Sequence, residues 1–348
     1  MFRNLKSVVI YLVRILFVNS VCLTIFFLDN TNIQPSDFKP YLLTALEHSY
    51  CVVFLKMKAG DIDKHVMLNT HGVPRESIEK MKGNFNDNPT PYYLKWAIPY
   101  REGKRLENVV KKLVQKCSEA DAKFQEFLFK KMETDIKSLF STYHMGNASS
   151  NQHHVTTAYT NPSLIERRIS NVYTKSPLVQ RLIGLPSFLN VVGLIVTPKC
   201  IAARVLLDEQ QRKIWGRNDS INKGEINPIA FESSSVSIDE ALSRLCLGGQ
   251  ISSLDCQLPE GGIKPYHGTG CTAHITLGTR GNNRPVVAKE TLYQIVQLEA
   301  YASPTSQSVT SCNLTVRSFG PDIWVVYFRQ PFVVQSLFCG HYNPVKES

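Results

Sequence analysis

The chain lacks the residue pairings that build metal centres or disulfide frameworks. Its nine cysteines are scattered and odd in number, with no Cys-x-x-Cys pair and no Cys/His group at zinc spacing. That argues against a zinc ribbon or a stapled secreted scaffold and fits free thiols in a reducing compartment. No glycine occurs before Gly60, so no Gly-x-x-x-x-Gly-Lys-Ser/Thr loop is present to cradle phosphates near the start of the chain. No dinucleotide-type βαβ repeat is evident. What is present is ordinary globular composition, 43% hydrophobic and 20% charged, which excludes a disordered chain. Lys and Arg exceed Asp and Glu by enough to give a formal net charge of +10. Such a balance favours anionic partners such as nucleotides, nucleic acid or acidic lipid.

Three His-x-Ser/Thr triplets occur, at His154, His267 and His274. Side chains at i and i+2 of a strand share a face, so an imidazole and a hydroxyl in this spacing can address one small ligand. Val155–Tyr159 and Thr272–Leu277 are β-prone runs. His267-Gly268-Thr269-Gly270 has glycines where a strand needs side chains and reads as a loop, so His267 is set aside. Two such pairs facing each other supply an acid, a base and two donors, which suits attack on a phosphodiester.

Pro91-Tyr92-Tyr93-Leu94-Lys95-Trp96, His154-Val155-Thr156-Thr157, Val196-Thr197-Pro198-Lys199 with Ala203-Arg204-Val205, Ala273-His274-Ile275-Thr276-Leu277-Gly278, and Leu337-Phe338-Cys339-Gly340-His341-Tyr342 follow one another in order. From about residue 91 to 344 this succession resembles the 2′,3′-cyclic-nucleotide 3′-phosphodiesterases of the 2H phosphoesterase superfamily. The resemblance implies an α+β, two-lobed 2H phosphoesterase fold, with antiparallel sheets around a central groove and a motif from each lobe. It implies hydrolysis of 2′,3′-cyclic nucleotides, free or at RNA ends, to 2′-phosphates without a cofactor or metal. His274 would activate water, His154 would protonate the leaving oxygen, and Thr156 and Thr276 would hold the phosphate. Tyr159 stands where the family stacks an aromatic on the base, and Pro285 and Val286 resemble positions beside the ligand. Thr272 departs from the arginine that the family commonly has two residues before the second motif histidine. The motifs leave open a 2H-fold RNA-repair ligase, another cyclic or 2′–5′ phosphoesterase, or a membrane- or RNA-associated scaffold of little activity.

Residues 1–87 read as a truncated remnant of the P-loop, kinase-like α/β domain that precedes the phosphodiesterase in such proteins. The apolar stretch 5–28 has two readings: a membrane anchor, or a strand (Val21–Leu28) of a parallel sheet ending in Asp29. The expected location is cytoplasmic, with that stretch as the route to any membrane. The chain ends Val345-Lys346-Glu347-Ser348, which is not a prenylation box. The turn-rich 84–91 region marks a boundary, giving 88–348 as the phosphodiesterase domain with an insertion at 217–270. Within it, periodicity predicts a helical region over 106–140 with a solvated lysine face, strands at 92–98, 190–198 and 203–207, a helix at 289–300, and a closing hairpin from 323–328 and 332–338. Nothing in the sequence sets the oligomeric state.

Overall fold

The computed structural model describes residues 8–18, 20–28, 35–47, 50–56, 61–67, 69, 72–84, 91, 93–132, 152–159, 173–216, 267–301, 303–309 and 314–341. Most of the expected 217–270 insertion lies outside them. At the start of the chain, β1 (Val8–Val18), β2 (Ser20–Leu28) and β3 (Cys51–Lys56) form a three-stranded sheet in the order β2-β1-β3. Every pairing in it is antiparallel. The parallel strand expected at Val21–Leu28 is therefore corrected. The run is one arm of a β1–β2 hairpin, a pairing its β-branched and aromatic composition allows equally well. The anchor reading fares no better as a helix: no helix among the described residues is long and apolar enough to cross a membrane. Three short helices follow or interleave, α1 (Pro35–Glu47), α2 (Ile62–Met67) and α3 (Arg75–Asn84).

The remainder is an α+β unit built on one antiparallel sheet. Its strands are β4 (Tyr93–Ala97), β5 (His154–Tyr159), β6 (Pro186–Val196), β7 (Cys200–Leu206), β8 (His274–Thr279), β9 (Ser306–Val309), β10 (Thr315–Ser318) and β11 (Trp324–His341). The path runs β5-β4-β11-β6-β7-β8, with β10 and then β9 added along the first half of β11. The two lobes expected from sequence are thus halves of a single sheet, because β6 and β11 are long enough to run through both. β11 pairs with β4 through Leu337–His341 and with β10 through Trp324–Tyr327, while β6 lies along nearly its whole length. The closing hairpin read at 323–338 is instead one strand. Arg329-Gln330-Pro331 resembles a turn, but it forms an irregularity between Tyr327 and Phe332 where Pro331 is exposed and its missing N–H costs no ladder bond.

One face of the sheet carries Leu94, Trp96, Val155, Leu194, Ile201, Ala203, Ile275 and Phe338 in a continuous core. Against it pack α4 (Tyr100–Ala120) and α5 (Ala122–Met132). The buried stripe of α4, Leu106, Val110, Val114 and Cys117, has the spacing expected of an amphipathic helix. The single helical region read over 106–140 is broken at Asp121, an extended residue whose carboxylate accepts the Phe124 N–H at 2.9 Å and the Ser308 hydroxyl at 2.7 Å. Asp121 thereby caps α5 and ties it to β9. Two short helices, α6 (Pro177–Leu182) and α7 (Glu209–Lys213), flank β6 and β7. The other face, beside β6, β7 and β11, is covered by α8 (Val286–Tyr301), whose Leu292, Ile295 and Val296 meet Ile195, Val325 and Tyr327.

Gly193 sits where β6 crosses the irregular part of β11. A Cβ there would lie 2.5 Å from the Val326 carbonyl oxygen. That oxygen belongs to the backbone and cannot swing away. Gly193→Ala should therefore destabilise the domain by about 1–3 kcal/mol, the usual range for overpacking, read as a lowered urea midpoint at unchanged slope.

Candidate functional site

β5 and β8 are the two ends of the strand order, yet the sheet curls until they are neighbours in space. Val155 and Ile275 are fully buried in the same core cluster. Alternation then places His154 and Thr156, and likewise His274 and Thr276, on the opposite face, where all four are half-buried. The strand expectations for both motifs hold, and the 267–270 segment is a loop as read, with Gly270 at φ +86°.

The contact between the edges is made by His153, the residue just before the first motif. Its Nδ1 lies 3.2 Å from the Thr276 carbonyl oxygen and its Nε2 lies 2.9 Å from Glu107 Oε1 on α4. Both neighbours are acceptors, so both contacts are hydrogen bonds only when each ring nitrogen carries a hydrogen. The ring is almost wholly buried and fits beside α4 because residue 103 is glycine: a Cβ there would stand 2.8 Å from His153 Cδ2. Burial by itself would raise the Glu107 carboxyl, but hydrogen bonds from His153 and Lys104 outweigh it and hold the group down at about 2.

The motif histidines are oriented alike. His154 Nδ1 donates to the Gln152 carbonyl at 3.0 Å and His274 Nδ1 donates to the Thr272 carbonyl at 2.7 Å. In each case the acceptor is the main chain two residues back. A neutral ring held this way keeps its hydrogen on Nδ1 and its lone pair on Nε2. The Thr272 side chain is fully buried, and its backbone is what serves the site.

Around His154 the register assembles residues that carried no role in the sequence reading. Lys95 on β4 is paired with Thr156, and Tyr93 is paired with His341. The Tyr93 ring stacks on His154 at 5.5 Å between centroids and on His341 at 4.5 Å. Burial, then the Lys95 ammonium, push the His154 imidazole down to about 3, with His341 and His153 adding to the effect and the Gln152 carbonyl opposing it. The backbone places Tyr159 opposite Tyr93. Pro285 and Val286 lie exposed at the start of α8, and no described contact brings them to the motifs. A lysine inside an otherwise apolar strand, Tyr93-Leu94-Lys95-Trp96-Ala97, was the available signal for this cluster.

On the other half, Arg204 is paired with His274 and forms a buried ion pair with Glu299 of α8 at 2.5 and 3.1 Å. The Tyr327 hydroxyl also donates to Glu299, and burial pushes that phenol up. The group fixes α8 against β7, the neighbour of the second motif strand.

The family model described as 2′,3′-cyclic nucleotide 3′-phosphodiesterase matches residues 90–234, a span that holds the first motif and ends before the second. The 2′,3′-cyclic-nucleotide 3′-phosphodiesterases of rat (Rattus norvegicus) and mouse (Mus musculus) are each 20% identical over 323 residues, covering 92% of this chain and 67% of theirs. The likeness to this family drawn from the motifs is therefore shown.

Two measurements test the electrostatics. The His154 imidazole, held near 3, should show no titration between about pH 5 and about pH 8 in nitrogen-detected NMR of the unliganded protein. Glu107, depressed below the ordinary carboxylate value of 4.5, contributes stability that is complete above that value and is lost as pH falls toward 2. Glu107→Gln should accordingly shrink the difference in unfolding free energy between about pH 5 and about pH 2.5.

Proposed function

We propose, from that family likeness and the convergence of the two motif strands, that the chain hydrolyses nucleoside 2′,3′-cyclic phosphates, free or at RNA ends, to 2′-phosphates. The observation that carries the reading is the His153–Thr276 hydrogen bond, which ties the strand of one His-x-Thr pair to the strand of the other on a common face. In the proposed reaction water attacks phosphorus and gives its proton to His274 Nε2. The bond from phosphorus to the 3′ oxygen breaks, and that oxygen takes a proton from His154 Nε2. Thr156 and Thr276 donate to the non-bridging oxygens, whose charge grows in the transition state. The attacking water supplies the proton that His274 takes, and His154 hands on the proton that it has taken up from solvent.

His154 is neutral before substrate arrives, since its pKa is held near 3. To serve as the acid it must gain a proton as the phosphate enters. An anion beside the ring favours the imidazolium and offsets the repulsion from Lys95, so substrate binding and protonation are coupled. Tyr159, Pro285 and Val286 remain, in this reading, the residues that meet the nucleoside.

The test is an assay of purified protein on 2′,3′-cyclic AMP, with the product identified by phosphorus NMR. His154→Ala and His274→Ala should each lower kcat by about 10²–10⁴-fold, and the wild-type product should be the 2′-phosphate. A 3′-phosphate, or equal turnover by wild type and both variants, would overturn the reading.

A further inference from the structure

We infer that Lys95 is a phosphate-binding cation of the motif face, taking the charge of the anion that His154 and Thr156 address. Lys95 is only 5% exposed, and burying an ammonium is costly unless an opposite charge or several hydrogen bonds compensate. Among the described residues it has no carboxylate. Its Nζ lies 3.4 Å from the neutral Gln152 Oε1 and 5.8 Å from the centre of the Tyr93 ring. Neither contact neutralises it. The same molecule shows how a buried cation is otherwise treated: Arg204, equally enclosed, has both ends of its guanidinium on Glu299.

The position of Lys95 gives the missing charge an address. Its register partner is Thr156, so the lysine shares a face with the hydroxyl and the imidazole of the first motif. Gln152, which receives the ammonium through its side chain, receives the His154 ring through its backbone. An anion seated against His154 and Thr156 therefore meets Lys95 as well. The Tyr93 ring that stacks on His154 also lies beneath the Lys95 ammonium, so the cation and the imidazole share one aromatic wall. The ligand class is a phosphate mono- or diester. That this phosphate is the substrate's rests on the preceding reading; the cation site itself does not.

The experiment separates the two. Inorganic phosphate is titrated into wild type, Lys95→Met and Lys95→Arg, with binding followed by calorimetry and by the His154 ring resonances. Wild type should bind, Lys95→Arg should bind within a few-fold of it, and Lys95→Met should bind about 10–100-fold more weakly, the loss of one charge-assisted hydrogen bond. Removing an uncompensated buried charge should leave the thermal midpoint of Lys95→Met equal to wild type or higher. Lys95→Gln is the second variant and should weaken phosphate in the same direction. Phosphate binding that is absent in wild type, or equal in Lys95→Met and wild type, overturns the inference. Phosphate binding that depends on Lys95 without turnover of any cyclic nucleotide upholds it and overturns the phosphodiesterase reading instead.

Discussion

One buried imidazole holds the two ends of the sheet together. A sheet that curls must do something with its edges, because an edge strand presents backbone groups in search of partners. Here the edge strands β5 and β8 carry the motifs, and His153 takes up the Thr276 carbonyl while Glu107 fixes the same ring to α4. The relative height of the two His-x-Thr pairs is thus set by a side chain wedged between them and backed by a helix. Gly103 provides the room for it. The core beneath, shared by Val155 and Ile275, keeps both strands facing the same way.

Charge around the motif strands is lopsided. Glu107 is committed to His153 and Lys104, and Glu299 to Arg204 and Tyr327. Lys95 is left facing His154 with a neutral amide and an aromatic ring for company. Burial, and after it the Lys95 ammonium, keep His154 uncharged.

Much of this was readable from residue order, and the failures have physical causes. The motif strands were legible because β-branched centres flank each histidine, and the β6–β7 hairpin because Thr197-Pro198-Lys199 supplies a turn in which the Thr197 hydroxyl accepts the Cys200 N–H. The strand β11 was misread as a hairpin because a bulge and a turn draw on the same residues, as Arg329-Gln330-Pro331 shows. The break at Asp121 was invisible because no glycine or proline marks it; a carboxylate reaching both Phe124 and Ser308 does the work. Residues 8–28 carried an apolar pattern common to a membrane helix and a buried strand, and only pairing with β3 decides between them. Lys95 stood out locally as a lysine in an apolar strand, but Tyr93, His341 and His153 gained meaning only from contacts between segments far apart in the chain.

Both motif rings are aimed by peptide carbonyls, those of Gln152 and Thr272, rather than by a carboxylate or an amide side chain. Every amino acid brings the same carbonyl, so the aiming hydrogen bond draws on no particular side chain at either position. A saturation library at half-buried residue 152 could alter charge and bulk while His154 kept its tautomer, whereas fully buried Thr272 leaves little room for other side chains. The orientation of the two imidazoles is in that sense inherited from the chain's geometry, and the side chain of residue 152 is released from that task.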